Sequence, residues 1–342
     1  MELAGVPIWI WGSFLGFVLA ILALDLGVFH RSAHEVKMKE AVVWSAVWMG
    51  LAMSFGAIVF TQWQHISPGS SYSNSNAGLA FVTGYFVEWA LSVDNLFVFL
   101  LVFSYFQVPA KYQHRVLFWG IIGALVFRAI FITAGSLLLE KFHWTMILFG
   151  AFLVFTGFKM VTSKGKKMDP GKNPLVNLVR KIIPITSEFQ GQKFLTRING
   201  KLWATPLFLA LIIVEFTDVV FAIDSVPAIF AITKEPFIVF SSNVFAILGL
   251  RSLYFALSGL MQMFHYLHYG LSAILVFVGG KMLYGFFEKD VWTTLPSMPV
   301  WMSLPIILTI LGAAVGYSLV RPPKGDGADP SKSTCSPEVL PM

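Results

Sequence analysis

Nine apolar stretches, each near the roughly 20 residues that a bilayer's hydrocarbon core requires, alternate with polar breaks along the chain. They run over about 8–29, 40–60, 79–104, 116–138, 143–162, 205–231, 237–260, 267–287 and 299–320. Each predicts a membrane-spanning helix, so the expected fold is all-α, a polytopic membrane helical bundle of about nine transmembrane helices. The first apolar stretch follows Glu2 with no basic residue before it and no small-residue cleavage pattern after it. It reads as a retained span rather than a secretory leader.

The polar breaks are uneven. Residues 61–78 form an uncharged Ser, Asn, Pro and Gly connector, whereas 163–204 is a long basic loop. Within that loop "KFLTRINGKLWA" holds Asn199-Gly200 between β-tolerant residues, a hairpin signal. "PLVNLVRKII" predicts a helix lying on an anionic membrane surface. The tail 321–342, rich in Pro, Asp, Ser and Lys, reads as disordered.

Composition agrees with the pattern. At 56% hydrophobic and 12% charged residues, with a mean hydropathy of +0.74, an ordinary soluble domain is excluded. The formal charge of +6 matters less than its placement. The loops after spans 1, 3 and 5, with the tail, hold eighteen Lys and Arg against three in the alternate loops. That asymmetry predicts an N-terminus outside and a C-terminus in the cytoplasm. The one cysteine, Cys335, lies in the tail, which leaves no internal disulfide and no thiol relay.

The chain also resembles itself. "GAFLVFTGFKM" (150–160) matches "SAILVFVGGKM" (272–282), "GALVFRAIF" (123–131) matches "AILGLRSLYF" (246–255), and "EWALSVDN" (88–95) matches "DVVFAIDS" (218–225). Glu88 then corresponds to Asp218, Asp94 to Asp224 and Arg128 to Arg251. Two three-helix repeats follow, 79–162 and 205–287, flanked by two N-terminal helices within 1–60 and a last helix at 299–320. An odd number of spans per repeat inverts the second relative to the first, an arrangement of secondary transporters whose substrate sits between the repeats.

Charges inside the spans carry the chemistry. Asp25 lies near a span end and reads as interfacial, and Lys159 and Lys281 are near enough to ends to snorkel. Glu88, Asp94, Glu215, Asp218 and Asp224 lie deeper, with Arg128 and Arg251 as charge-balancing partners. A carboxylate at the bilayer centre costs about 2.5 to 3.5 kcal/mol on insertion scales, so a surplus of roughly three acids over the two arginines calls for protonation, hydration or a bound cation. Six residues at 100° each set Glu88 and Asp94, and likewise Asp218 and Asp224, about 120° apart on an unbroken helix. Pro227 predicts a break beside Asp224 that frees carbonyl ligands, and Asn95 and Ser225 add side-chain oxygens. The acid-bearing segments contain no His, Cys or Met, a set that suits Mg²⁺, Ca²⁺ or Mn²⁺. His143, His265 and His268 read as interfacial, and Trp9, Trp11, Trp292 and Trp301 as interface belt and packing.

"FVEWALSVDNLFVF", "ATPLFLALIIVEFTDVVFAIDSVPAIFAIT", "PFIVFSSNVFAILGLRSLYF" and "GLSAILVFVGGKMLYG" resemble the TerC family of membrane proteins, close to its bacterial Alx type, over about residues 8–320. The resemblance implies a bacterial inner-membrane protein that exports Mn²⁺, with essential acids at Glu88, Asp94 and Asp224 and with Glu215 and Asp218 beside the last. It also carries the family's label of tellurium resistance. An acidic site repels an oxyanion, so direct tellurite transport is disfavoured, and a lone tail cysteine lends no support to redox modulation. Alternatives are a membrane scaffold or stress sensor, in which the acids pair with the arginines, and a Ca²⁺ or H⁺ antiporter. An enzyme is not expected, since no nucleophile and base pair and the Gly-Asp motif of intramembrane aspartyl proteases is absent. Nor is a permanent cofactor or a nucleic-acid partner expected; the divalent cation and the bilayer are the partners foreseen, with oligomeric state left open.

Overall fold

The computed structural model describes residues 2–24, 38–142, 144–162, 179, 181–186, 188–258, 267–290 and 300–320. Asp25, His143, His265, Trp292, Cys335, six of the ten residues of the expected surface helix 174–183 and the tail 321–342 lie outside them. So do the side chains of Asp94, Phe97 and Trp301.

Ten helices run through the described residues: α1 Ile8–Leu24, α2 Met38–Ile66, α3 Asn74–Tyr105, α4 Ala110–Lys141, α5 Thr145–Thr162, α6 Pro206–Phe230, α7 Pro236–Leu248, α8 Leu250–Ser258, α9 Leu267–Asp290 and α10 Val300–Val320. Seven are singly long and apolar enough to cross a membrane, and eight if α7 and α8, bent by 40°, form one span. Among the described residues α1 has 17, short of that length. The chain is a multi-pass, all-α membrane protein.

Local chemistry marks the element boundaries. The Ser73 hydroxyl accepts the Asn76 N–H at 3.2 Å and caps α3, and Pro206 and Pro236 open α6 and α7, where a missing N–H is harmless. Strands β1 (Glu2–Leu3) and β2 (Val6–Pro7) make a small ribbon ahead of α1. Strands β3 (Leu195–Ile198) and β4 (Lys201–Ala204) pair antiparallel across Asn199 and Gly200. Both turn residues have positive φ, 50° and 77°, as a two-residue hairpin of the right twist demands.

The centre of the bundle is α7, in which every residue from Phe237 to Leu248 is buried. Phe14 of α1 and Phe55 of α2 pack on it, Phe14 reaching Phe237 at 5.6 Å and Phe55 reaching Phe245 at 4.9 Å between ring centroids. Helices α5 and α9 meet side by side with almost no side chain between them. A Cβ at Gly279 would stand 2.8 Å from the Gly150 carbonyl oxygen, and one at Gly157 would stand 2.9 Å from that of Ser272. The Ser272 hydroxyl donates to the Gly157 carbonyl at 2.5 Å. Residue numbers rise along one helix as they fall along the other, so the pair is antiparallel. Shifting Gly150 and Gly157 by 122 residues gives Ser272 and Gly279, so the two contacts exchange into each other under the offset of the internal match.

Two expectations are corrected. Helix α6 is unbroken from Pro206 to Phe230, with Pro227 inside its last turn. The carbonyl that Pro227 leaves without a donor is that of Ile223, a residue 45% exposed on the outer side of the helix, so it supplies no ligand beside Asp224. The expected span 237–260 is also interrupted: α7 ends at Leu248 and α8 starts at Leu250 with Gly249 between them.

Candidate functional site

Unbroken helices hold the acids at the angular spacing that 100° per residue dictates, and the result is a divided set. Glu88 and Asp218 converge on one cation, Arg128, while Asp224 faces a different helix.

Arg128, on α4, is fully buried. Its guanidinium meets Glu88 of α3 at 2.5 Å and Asp218 of α6 at 3.4 Å, and it donates further to Ser225 at 2.9 Å and Asn243 of α7 at 3.1 Å. Asn243 returns a donor to the second Glu88 oxygen at 3.2 Å, and the Ser92 hydroxyl donates to the first at 3.3 Å. Four helices are thereby joined through one planar fork whose donors suit several carboxylate and carbonyl acceptors at once. Arg128 thus takes two acids, Glu88 and Asp218. Arg251 lines a cleft of about 10 Å³ together with Asp218, and another beside His114 and Trp48.

Asp224 is half-buried and turns to α5, where the Thr156 hydroxyl donates to it at 3.3 Å. It lines a cavity of about 280 Å³ with Asn95 of α3, Ser225 of α6, Thr156, Lys159 and Met160 of α5, and Leu275 of α9. Since water in the liquid takes about 30 Å³ per molecule, that space admits a cation with part of its hydration shell. Its polar oxygens are one carboxylate, one amide and two hydroxyls, a hard-cation set that leaves several positions to water. Asp94 precedes Asn95 on α3, and its side chain lies outside the described residues. Among the described residues no three His, Cys, Asp or Glu stand close enough together to hold a metal ion.

Glu215 precedes Asp218 by three residues on the same face of α6. Its carboxylate rests against Gly123 of α4, where a Cβ would occupy the space its oxygens fill. One of those oxygens is buried without a hydrogen-bond partner. The residues in hand therefore fall into two places: Glu88, Asp218, Arg128 and Asn243, with Glu215 one turn before Asp218; and Asp224, Asn95 and Ser225. Ser225 belongs to both of them, lining the cavity and accepting from Arg128.

Asn243, Thr156, Lys159 and Met160 were missed in the sequence reading. Asn243 and Thr156 are polar residues within apolar stretches, a signal that was present, whereas the arrival of Lys159 and Met160 at the Asp224 cavity depends on how α5 is rotated against α6.

The Integral membrane protein TerC family profile matches residues 73–325, three quarters of the chain, including Glu88, Asp94, Arg128, Glu215, Asp218, Asp224 and Arg251. The chain belongs to the TerC family. It is 51% identical over 312 residues to an uncharacterized membrane protein, STKORF319, of Myxococcus xanthus, a match covering 91% of this chain and 92% of that protein. It is 45% identical over 312 residues, 91% of this chain and 94% of that protein, to a protein of Escherichia coli (strain K12) provisionally named membrane-bound redox modulator Alx. A Salmonella typhi protein of the same name is similar to the same extent. No solved structure matches significantly.

Proposed function

We propose that this TerC family protein is a secondary transporter that exports a divalent metal cation, Mn²⁺ first, from the cytoplasm across the bacterial inner membrane. The observation that carries the reading is Asp224. It is the acid on α6 that faces open space rather than an arginine, and the cavity it faces is lined by further neutral oxygens.

The charges support this division of labour. Arg128 with Glu88 and Asp218 is a buried, multiply hydrogen-bonded network that holds α3, α4, α6 and α7 together. Asp224, with Asn95, Thr156 and Ser225, gives a divalent cation one charged ligand and several neutral ones. A transport site must bind well enough to load and weakly enough to release, and a site with few charges is of that kind. Asp94 is proposed as a second acid of the site from its position as the repeat counterpart of Asp224. The exchange of contacts between α5 and α9 under a 122-residue shift supports an inverted repeat, and rocking of one repeat on the other would open the site alternately to each side. The eighteen-to-three distribution of basic loop residues supports an orientation with the β3–β4 hairpin in the cytoplasm.

The test is ⁵⁴Mn²⁺ flux in proteoliposomes under an imposed pH gradient, with Ca²⁺ and Mg²⁺ as competitors. Flux that disappears in Asp224→Asn supports the reading, and wild-type liposomes that move no metal overturn it. Stronger competition by Ca²⁺ than by unlabelled Mn²⁺ turns the assignment to a Ca²⁺/H⁺ antiporter. The Arg128 network also favours a scaffold or stress-sensor role, in which the acids hold the bundle together. Under that role the acid variants lose folded protein and no ion moves. The redox label of the similar proteins finds no chemical basis among the described residues, which contain no cysteine.

A further inference from the structure

Lys159, in the last turn of α5, lines the wall of the Asp224 cavity. It follows Thr156 by three residues on α5, so the two share one helical face. Thr156 already touches Asp224, at 3.3 Å. The Lys159 ammonium is near enough to Asp224 for their charges to interact.

Its head is not tied down. Among the described residues its Nζ lies over the Phe155 ring, 6.0 Å from the centroid, and the residue as a whole is exposed. The repeat counterpart Lys281 is different, since its Nζ donates to Ser303 of α10 at 2.8 Å. A lysine is a compact cation on a flexible four-carbon stem, free to move its charge by several ångströms. Arg128 cannot take that part, because it is fully buried and held by four acceptors on three helices.

The electrostatics of an empty cation site pose a specific problem. An ionised carboxylate facing a cavity inside a membrane bundle is stabilised by water or by a positive charge nearby when the metal is absent. Glu88 and Asp218 have theirs in Arg128. Asp224 has the lysine lining its own cavity.

We propose that Lys159 is the displaceable counter-cation of the Asp224 site. Resting on the transport reading above, the inference assigns the empty state to an ammonium drawn toward Asp224 and the loaded state to a divalent cation at Asp224 with the ammonium swung back over Phe155. Metal and lysine then compete for one acid. Loading pushes the lysine out, and its return helps to expel the metal. The lysine therefore lowers affinity and speeds release.

The experiment measures Mn²⁺ binding to purified full-length protein from the loss of the free-ion EPR signal, together with ⁵⁴Mn²⁺ flux at saturating metal. The variants are Lys159→Gln, Lys159→Met, Lys159→Arg and Asp224→Asn. Removing the positive charge that competes for Asp224 tightens binding, so Lys159→Gln and Lys159→Met are each expected to lower Kd by about ten-fold or more. Both are expected to slow saturated flux. Lys159→Arg keeps the charge and is expected to stay within about three-fold of wild type in Kd. Wild-type affinity or weaker binding in both neutral variants overturns the inference while leaving the cation site standing. Failure of the wild type to bind Mn²⁺ in an Asp224-dependent way overturns the site and the inference together.

Discussion

The Arg128 guanidinium donates to the Ser225 hydroxyl at 2.9 Å, and Ser225 lies beside Asp224 in the wall of the 280 Å³ cavity. One hydrogen bond thus joins the buried network that holds four helices to the space in which a cation would sit. Movement of α6 that opens the cavity must strain or remake that bond.

Asp224→Asn changes charge but hardly shape, and the side chain is half-buried with a single hydroxyl donor. The expected outcome is loss of Mn²⁺ binding and export with folded yield and melting temperature close to wild type. Size-exclusion profiles and thermal unfolding in detergent check the second part.

Arg128→Gln removes the cation that bridges Glu88 and Asp218, both of them buried. Breaking such a pair costs about 3 to 5 kcal/mol, so folded yield is expected to collapse. Asp218→Asn instead leaves Glu88 and Arg128 balanced and is expected to fold. Comparing the two variants in denaturant unfolding separates charge imbalance from general sensitivity of the site.

Gly279→Leu drives a side chain into the Gly150 carbonyl across the α5–α9 contact, where even a Cβ would stand at 2.8 Å. Overpacking of this kind costs about 1 to 3 kcal/mol or more. Because the Gly157–Ser272 contact is its counterpart, Gly157→Leu is expected to destabilise to a similar degree. Thermal unfolding of the two variants side by side tests whether the halves of this interface are energetically equivalent.

Tyr72 lies in the loop between α2 and α3, outside the spans. Burial raises its hydroxyl above the ordinary value of 10.0, the Glu235 carboxylate adds to the rise, and hydrogen bonds with Thr233 and Lys234 oppose it. The folded value exceeds the unfolded one, so this contribution to stability is complete below the unfolded value and is lost as pH climbs through the folded one. Tyr72→Phe is therefore expected to lose less stability than wild type between about pH 8 and pH 11, read as the difference in melting temperature.

Hydropathy alone determined the all-α, multi-pass character of this chain, because apolar stretches of bilayer length have few other stable states. The deep acids, Arg128 and Arg251 were legible for the same reason: charge is conspicuous in hydrocarbon. The Asn199-Gly200 hairpin could be read because its turn chemistry is local. The offset of 122 residues between matching segments was also there to read, though not which faces of α5 and α9 would touch.

The distribution of the acids was not legible. Helical periodicity sets the 120° between Asp218 and Asp224 on α6, but only the packing of neighbouring helices decides that one meets Arg128 and the other Thr156. The break expected at Pro227 failed because the proline falls in the final turn, where the freed carbonyl belongs to outward-facing Ile223 rather than to the cavity. Lys159 was legible as a lysine near a span end, whereas its place in the wall of the Asp224 cavity follows from the rotation of α5 against α6. Angles along one helix follow from its sequence, whereas the partner each face meets follows from side-chain packing across the whole bundle.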